Sequence, residues 1–305
     1  MKKYDYNTQV HGFSFDELFV DALKQIVKDG KWNKPRGMSC KEIIAPQLIL
    51  YKQDQPISLL RARKLNRAFG IVEMFTYLSQ VSKPDVLVKY NKNIGNFINE
   101  ATGDFDAPYG KRIATGNQLE YCYKTLKSDP DSRRAVIMIH QPEDCRETKD
   151  SACTLSLQFL IRDGKLDLIA TMRSNDIILG MCYDIPAFTF IQTVMAFWLD
   201  VSVGRYIHQP GSLHFYQEFS PMVDDCIDEM KENEDSDDKK IDVKHVWDQR
   251  FENTRDALDI FWRCEEEIRE TGKFVKHESK AINNYLQVIH EYWKNKQAPV
   301  KSLFS

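Results

Sequence analysis

The sequence lacks the cysteine patterns that hold metals or build disulfide frameworks. Its 305 residues include seven cysteines, an odd number, with no Cys-x-x-Cys pair and no histidines at zinc-like spacing. Small secreted domains rely on paired cysteines, and structural zinc sites rely on closely spaced ligand pairs. The sequence therefore predicts reduced thiols, no structural metal and a cytoplasmic location.

A long apolar run and an excess of positive charge are also missing. The first residues lead into no apolar signal core, and the most apolar stretch of helical length, residues 185–199, contains Thr, Gln and Pro and is too short to span a bilayer. The formal net charge is −3. We therefore expect neither a membrane nor a nucleic acid as partner, and clustered arginines should bind a local anion.

Hydrophobic periodicity divides the chain into alternating helices and strands without an internal repeat. Helical spacing covers residues 13–28, 58–78, 119–126 and 186–199, the last of which is apolar on all sides. Strand-like stretches cover residues 43–51, 135–140, 155–161, 166–172 and 206–214. Residues 83–110, rich in Asn, Gly and Asp, are predicted to be irregular. The alternation predicts the α/β class.

Cys153 is the first candidate for chemistry because arginines stand on both sides of it. Arg133 and Arg134 precede it, and Arg173 follows it after a strand, an Asp-Gly turn and a second strand. Such a hairpin would bring Arg173 beside Cys153. A neighbouring cation favours the thiolate, the reactive form of cysteine. The alternative is a half-buried structural cysteine.

The motifs around this thiol resemble those of the thymidylate synthase family. In chain order they are Asp-Ser-Arg133-Arg134, Cys153 followed by Gln158, Arg173-Ser174-x-Asp176, Gly180, and Gly-x-x-His214-x-Tyr216. The resemblance runs from about residue 36 to residue 216. It implies a mixed, largely antiparallel twisted sheet packed by helices, and a homodimer with its sheets back to back. It also implies a pyrimidine nucleoside monophosphate as substrate and 5,10-methylenetetrahydrofolate as co-substrate, without a metal.

The resemblance gives three residues a part in the reaction. Cys153 would add to C6 of the pyrimidine and make C5 nucleophilic toward the one-carbon unit. Glu73, on an otherwise apolar helix face, would transfer protons through water. Tyr109, in Pro-Tyr-Gly-Lys, matches a tyrosine near the reacting centre. The alternative for Glu73 is a carboxylate on the helix surface.

The resemblance also assigns the residues that bind substrate. For the phosphate they are Arg36, Arg173 and Ser174, with Arg133 and Arg134 contributed by the second subunit. For the base and sugar they are Gln158, Asp176, Asp184, His214 and Tyr216. Several planar, bidentate guanidinium groups suit a phosphate dianion. The alternative for the paired arginines is a solvated turn.

Asp184 departs from the family, which carries asparagine at this position. A carboxamide matches uracil, whose O4 accepts and whose N3–H donates. Cytosine instead presents an amino donor and an unprotonated N3, and a carboxyl group can accept from the first and deliver a proton to the second. Asp184 thus indicates a cytosine nucleotide. The alternative is an aspartate that caps the helix beginning near residue 185.

This departure resembles the branch of the family that hydroxymethylates deoxycytidylate (dCMP) in bacteriophages for DNA modification. There water, rather than hydride from the folate, completes the one-carbon group, and tetrahydrofolate leaves. Residues 93–99 lack the family's tryptophans, which could admit water, and Thr154 replaces a histidine. The prediction is a dCMP 5-hydroxymethyltransferase of nucleotide biosynthesis, working in the host cytoplasm if phage-encoded.

Four alternatives stay open at the level of sequence. They are a CMP 5-hydroxymethylase for nucleoside-antibiotic synthesis, a dCMP C5-methyltransferase, a thymidylate synthase acting on dUMP, and an inactive relative that binds RNA or a protein through residues 224–305. The intact Cys153, Arg173 and His214 argue against the inactive relative.

The composition changes after residue 222. Residues 224–240 are dense in acidic groups, and residues 243–293 alternate charged and apolar residues at helical spacing. We therefore predict a catalytic domain over residues 1–222, followed over residues 223–305 by an acidic linker and a helical extension of the same domain.

Overall fold

The computed structural model describes residues 8–53, 57–148, 150–233 and 245–297. The strands are β1 (Gln9–Gly12), β2 (Lys31–Asn33), β3 (Cys40–Ile44), β4 (Gln47–Leu50), β5 (Ile98–Asn99), β6 (Asp104–Phe105), β7 (Val136–Met138), β8 (Thr154–Arg162), β9 (Lys165–Met172), β10 (Asn175–Asp176), β11 (Ser202–Pro210) and β12 (Ser212–Tyr216). The helices are α1 (Phe15–Asp29), α2 (Arg67–Leu78), α3 (Pro84–Tyr90), α4 (Tyr109–Ala114), α5 (Gln118–Ser128), α6 (Cys182–Leu199), α7 (Ser220–Asn233), α8 (Thr254–Thr271) and α9 (Lys280–Gln297).

A six-stranded mixed sheet carries the fold, in the order β1-β4-β11-β9-β8-β7. The pairs β1/β4 and β9/β11 are parallel and the other three pairs are antiparallel. A second sheet has the order β10-β12-β3-β2. Helices pack on these sheets, which confirms the predicted α/β class with a mixed, largely antiparallel main sheet.

The hairpin between β8 and β9 has the turn that its sequence predicts. Asp163 and Gly164 both adopt positive φ angles, 52° and 70°. A two-residue turn of this hand matches the right-handed twist of the flanking strands, and Asp-Gly tolerates it. The turn fixes the register as far as the pair Ser156 and Thr171, and a register shift beyond it pairs Thr154 with Met172 at the far end of the hairpin.

Helix α6 lies at the centre of the hydrophobic core. Phe188 and Phe190 on it are fully buried, and Phe75 of α2 packs 5.3 Å from Phe190, centroid to centroid. The helical stretch Ile177–Leu199 is long and apolar enough to cross a membrane, but 72% of its apolar 18-residue segment is buried inside the protein. Burial on all sides explains why this helix is apolar all round.

Two predicted strands are each divided in the structure. The stretch 43–51 bends at Ala45, whose φ of 50° ends β3 before β4 joins the other sheet. The stretch 206–214 divides at Gly211, where a Cβ atom would lie 2.8 Å from the carbonyl oxygen of Arg173. Periodicity along one strand carries no information about which sheet each half joins.

Two further predictions on irregular and helical segments need correction. Within residues 83–110, predicted to be irregular, Pro84–Tyr90 forms α3. The helix predicted over residues 58–78 begins only at Arg67, because the Asn66 side chain accepts from the Phe69 amide and caps it there.

The C-terminal helices bury one face in the same core. Phe261 of α8 stacks on Phe75 at 3.6 Å between ring centroids, and Tyr285 of α9 packs edge-on against the same ring. Both side chains are fully buried. The first ten residues of the predicted acidic linker, 224–233, belong to α7, while residues 234–244 lie outside the described part of the chain.

Candidate active site

The hairpin of β8 and β9 brings the Cys153 thiol and the Arg173 guanidinium together. The Arg173 amide donates to the Cys153 carbonyl at 2.8 Å, and Nη2 of Arg173 lies 3.4 Å from Sγ. The guanidinium is held in place because it also donates to the carbonyls of Ala152 and Ser151, at 3.0 and 2.9 Å. A fixed cation therefore stands beside a half-buried thiol.

Two opposing effects set the acidity of this thiol. Burial raises the pKa of Cys153, and the charges of Asp184 and Asp150 raise it further. The guanidinium groups of Arg173 and Arg36 lower it. Burial dominates, so the free enzyme favours the thiol, and Arg173 is the larger of the two influences that stabilise the thiolate.

Tyr109 supports the backbone around the thiol. Its hydroxyl oxygen accepts from the amides of Cys153 and Thr154, at 3.1 and 3.0 Å. Tyr109 opens α4, and its ring packs 5.4 Å from that of Tyr77. Burial raises the pKa of Tyr109 well above its usual value, so the phenol stays neutral. The tyrosine that the sequence placed near the reacting centre is therefore in contact with the cysteine backbone.

Glu73 on α2 and Asp184 on α6 form a half-buried pair of interacting carboxyl groups. Burial raises the pKa of Asp184 to about 7, against a hydrogen bond from Asn175 that lowers it. Burial raises the pKa of Glu73 to about 8, and the negative charge of Asp184 adds to the effect. Near neutral pH this pair can hold and release protons, as general acids and bases must.

The helix-cap interpretation of Asp184 does not fit the structure. Helix α6 begins at Cys182, after the π-helical turn Ile177–Met181, so Asp184 lies inside its first turn. Its Oδ2 accepts from Nδ2 of Asn175 at 2.7 Å. Asp176 is the residue that caps, because its Oδ1 accepts from the backbone amides at the start of the π-helical turn.

The pairing of β10 with β12 places Asp176 beside His214. Burial lowers the pKa of His214, while the carboxylates of Asp176 and Glu42 oppose that effect. His214 and Tyr216 project from the same side of β12 with ring centroids 5.3 Å apart. Arg36 lies against the Tyr216 hydroxyl. Oδ2 of Asp176 is buried without a hydrogen-bond partner in the described residues.

Gln158, Arg133 and Arg134 lie apart from this cluster in one chain. Gln158 is five residues along β8 from Cys153, about 16 Å at the usual rise of a strand. Its amide donates to the Arg133 carbonyl at 3.1 Å. The side chains of Arg133 and Arg134 are exposed. Within one subunit, Gln158 and the Arg133 backbone therefore lie apart from the thiol, and their part in binding the substrate stays a prediction.

Three residues behind Asp184 were not identified from the sequence. Nε2 of His208 lies 2.9 Å from Oδ1 of Asn175, and the Tyr206 hydroxyl lies 2.8 Å from Nδ1 of His208. Together with the half-buried Asp184 they form one row of polar groups. The Tyr-x-His spacing on a strand was visible in the sequence, but no family motif marks it.

Two other side chains near the thiol bear on its chemistry. The Thr154 hydroxyl, at the position that departs from the family's histidine, is fully buried and has no hydrogen-bond partner in the described ranges. Leu179, between Asp176 and Asp184, is 51% exposed. Among the residues that the structure describes, no group of three His, Cys, Asp or Glu side chains could hold a metal ion.

Comparison with known proteins identifies the family. The family model described as thymidylate synthase matches residues 17–258, most of the chain. The chain belongs to the thymidylate synthase family. Members of this family are one-carbon transferases that act on pyrimidine nucleotides and take the carbon unit from methylenetetrahydrofolate. The predicted family and its transferase chemistry are thereby confirmed.

Two relatives differ in the product that their names indicate. The deoxyuridylate hydroxymethyltransferase of Bacillus phage SP01 is 36% identical over 218 residues, which are 66% of this chain and 56% of that protein. The thymidylate synthase of Bacillus mojavensis is 26% identical over 224 residues, which are 66% of this chain and 79% of that protein. The match therefore spans little more than half the length of the phage relative, and that relative is named for a uracil nucleotide.

Proposed function

We propose that this enzyme is a dCMP 5-hydroxymethyltransferase. It transfers the one-carbon unit of 5,10-methylenetetrahydrofolate to C5 of dCMP, and water completes the hydroxymethyl group. The carbon unit enters at the oxidation level of formaldehyde, so addition of water needs no reductant. The products are 5-hydroxymethyl-dCMP and tetrahydrofolate. A phage hydroxymethyltransferase among the relatives supports this type of product.

The observation that carries the choice of cytosine is the environment of Asp184. Its carboxyl group has a pKa raised to about 7 and accepts a hydrogen bond from Asn175. A protonated carboxyl donates to N3 of cytosine while its other oxygen accepts from the amino group. When the proton has moved to N3, the carboxylate stabilises the resulting cation as electrons flow toward C5.

The covalent step uses Cys153. The sulfur lone pair attacks C6, the C5–C6 double bond shifts its electrons toward C5, and C5 bonds to the one-carbon unit as one of its two carbon–nitrogen bonds to the folate breaks. Loss of the C5 proton then breaks the second carbon–nitrogen bond, so that tetrahydrofolate leaves and an exocyclic methylene remains. Water adds to this methylene, and expulsion of the thiolate restores the C5–C6 double bond. Arg173 stabilises the thiolate in the first and the last of these reaction steps, because its guanidinium is 3.4 Å from the sulfur. Glu73, with its pKa raised to about 8, exchanges the protons through water.

In a homodimer, the second subunit would contribute the remaining arginines of each phosphate site. Arg36 and Arg173 belong to the cluster around the thiol, whereas Arg133 and Arg134 lie near Gln158 on the same sheet. A groove of about 770 Å³ crosses the outer face of this sheet, lined in part by Gln47, Leu155, Thr171 and Gln209. Two sheets meeting face to face there would bring the arginine pair of one subunit to the phosphate of the other.

The folate would bind beside the nucleotide. Leu179 exposes apolar surface on the turn between Asp176 and Asp184, where it fits the face of a flat pterin ring. When bound, the folate supplies the one-carbon unit; the protein supplies position, charge and proton exchange.

Hydroxymethylation of dUMP is the second candidate, and the name of the phage relative favours it. A neutral Asp184 can donate to O4 and accept from N3–H of uracil, but an ionised Asp184 repels O4. An ionised Asp184 likewise has no proton to donate to N3 of cytosine. The kcat/KM for either substrate should therefore fall from about pH 6 to about pH 8, across the pKa of about 7, and the dCMP:dUMP ratio at one fixed pH separates the two candidates.

The test is turnover of dCMP, CMP and dUMP with methylenetetrahydrofolate in isotopically labelled water, followed by mass spectrometry. We expect a hydroxymethyl product from dCMP that carries the labelled oxygen. A methyl product with formation of dihydrofolate would contradict the hydroxymethyl assignment, and turnover of dUMP alone would contradict the cytosine assignment. Cys153→Ser should abolish turnover. Cys145→Ser, at an exposed cysteine, is the matched control.

A further inference from the structure

A row of buried polar side chains stands behind Asp184. Tyr206 and His208 are fully buried on β11, and Asn175 is 3% exposed on β10. The distances along the row are 2.8 Å from the Tyr206 hydroxyl to Nδ1 of His208, 2.9 Å from Nε2 to Oδ1 of Asn175, and 2.7 Å from Nδ2 to Oδ2 of Asp184. Four side chains from three elements thus form one continuous chain of hydrogen bonds.

The direction of these hydrogen bonds follows from counting protons. Burial lowers the pKa of His208 to about 3, so the ring is neutral and carries one N–H. Among the described residues, Nδ1 of His208 is the sole partner of the Tyr206 hydroxyl. If Nδ1 carried the proton, the buried O–H of Tyr206 would have no acceptor, which is costly. Tyr206 therefore donates to Nδ1, and Nε2–H donates to the Asn175 oxygen.

We propose that Tyr206 and His208 are positioning residues that hold Asn175 as a donor to Asp184 and thereby set the base preference of the site. The inference rests on the proposed function, in which Asp184 faces the base. Without His208, the Asn175 amide could rotate by half a turn and present its oxygen to a protonated Asp184. The row prevents that rotation because reversal would unpair the Tyr206 hydroxyl.

The consequence is a fixed place for the carboxyl proton of Asp184. Oδ2 receives the N–H of Asn175, so the proton of the neutral acid is favoured on Oδ1. With Oδ1 opposite N3, the acid donates to N3 of cytosine and Oδ2 accepts from the amino group. Uracil would need the carboxyl proton on Oδ2, the oxygen that faces O4. Oδ2 already accepts the hydrogen bond from Asn175. The row therefore selects cytosine over uracil.

The backbone leaves room for this contact at Gly180. A Cβ atom there would lie 2.8 Å from Nδ2 of Asn175 and 3.1 Å from Oδ2 of Asp184. Real Cβ atoms essentially never come within 3.0 Å of another heavy atom, so a side chain at this position would displace the Asn175 amide and crowd the Asp184 carboxyl. The glycine that follows Asp176 by four residues thus belongs to the same arrangement.

The first test reads the tautomer of His208 directly and needs no turnover. In the full-length protein labelled with 15N-histidine, NMR distinguishes a protonated from an unprotonated ring nitrogen. The His208 signals are those that disappear in His208→Gln. We expect protonated Nε2 and unprotonated Nδ1 throughout the neutral range. A proton on Nδ1, or a doubly protonated ring, would overturn the proposed direction.

The second test measures kcat/KM for dCMP and dUMP in two variants of His208. Leucine removes both ring nitrogens, whereas glutamine can replace them with an amide that accepts from Tyr206 and donates to Asn175. We expect His208→Leu to lower the dCMP:dUMP ratio by about tenfold, the effect of one hydrogen bond. His208→Gln should stay within about twofold of the native ratio. If His208 had a purely structural role, His208→Leu would lower kcat/KM for both substrates by the same factor.

The outcomes separate this inference from the proposed function. If the native enzyme does not turn over dCMP, the proposed function is wrong. The NMR result still decides the direction of the hydrogen bonds in the row. If the native enzyme prefers dCMP and His208→Leu keeps that preference, the positioning role is wrong. Should His208→Leu fail to fold, Tyr206→Phe, which removes a single hydroxyl, is the replacement. It should lower the same ratio, and an unchanged ratio would contradict the inference.

Discussion

The carboxyl of Asp184 should make the protein less stable as pH rises, and Asp184→Asn should remove that effect. Its pKa in the folded state is about 7, above the ordinary value of 3.8. The folded protein therefore binds this proton more tightly than the unfolded chain does. Between these two values the free energy of unfolding falls as pH rises, and above the higher one the loss is complete.

The magnitude follows from the shift. About three pKa units at 1.36 kcal/mol each give a ceiling of about 4 kcal/mol. Asp184 is half-buried rather than sealed from water, so screening reduces this, and we expect about 2 kcal/mol between pH 5 and pH 8. Asparagine can keep the acceptor that Nδ2 of Asn175 needs. The variant should therefore match the native protein at low pH and exceed it at high pH.

Urea unfolding of both proteins at about pH 5 and about pH 8 measures the difference. Asp259→Asn, at an exposed carboxylate on α8, is the matched control and should give a curve parallel to the native one. If Asp184→Asn also runs parallel to the native protein, the carboxyl does not have the buried environment described above. Asp184 would then lack the raised pKa on which the proposed recognition of cytosine depends.

Two other substitutions test the packing around the site. Phe261→Ala should lower the free energy of unfolding by about 3–5 kcal/mol in one cooperative transition, because a fully buried ring is lost. The control Phe274→Ala, at a ring 38% exposed, should lower it far less. A separate early transition in Phe261→Ala would show that the C-terminal helices unfold on their own. Gly180→Ala should separate Asn175 from Asp184, lower stability by about 1–3 kcal/mol and reduce turnover of dCMP. Native turnover in that variant would contradict the close contact.

The sequence predicted well wherever the decisive interactions are local. The Asp-Gly turn closes the β8/β9 hairpin and so brings Arg173 close to Cys153, while a register shift between Thr154 and Ser156, which the sequence did not predict, sets their final alignment. The central helix was predictable because its composition reflects burial on every side. Strand division at Ala45 and Gly211 was not predictable, since each break depends on a contact with a distant strand.

In the candidate site, too, contacts between residues distant in the chain could not be predicted from the sequence. Asp184 stood out in the sequence because it replaces the asparagine typical of the family, but its raised pKa depends on burial that only the packed core creates. Asn175 and His208 are 33 residues apart and carry no motif, so nothing local joins them. The parallel pairing of β11 with β9 and the position of β10 bring them within hydrogen-bond distance.

On the proposed function, the row behind Asp184 would also account for how replacing one amide nitrogen by an oxygen changes the base that the site accepts. Replacing the amide of asparagine by a carboxyl creates a group that can be neutral or charged, and either form could accept more than one base. Selectivity then depends on what holds that carboxyl. A donor fixed from the core side limits where its proton can sit, and in this protein the limit is set by the neutral His208 and the Tyr206 hydroxyl. On the proposed function, specificity at position 184 would therefore be a property of the whole row.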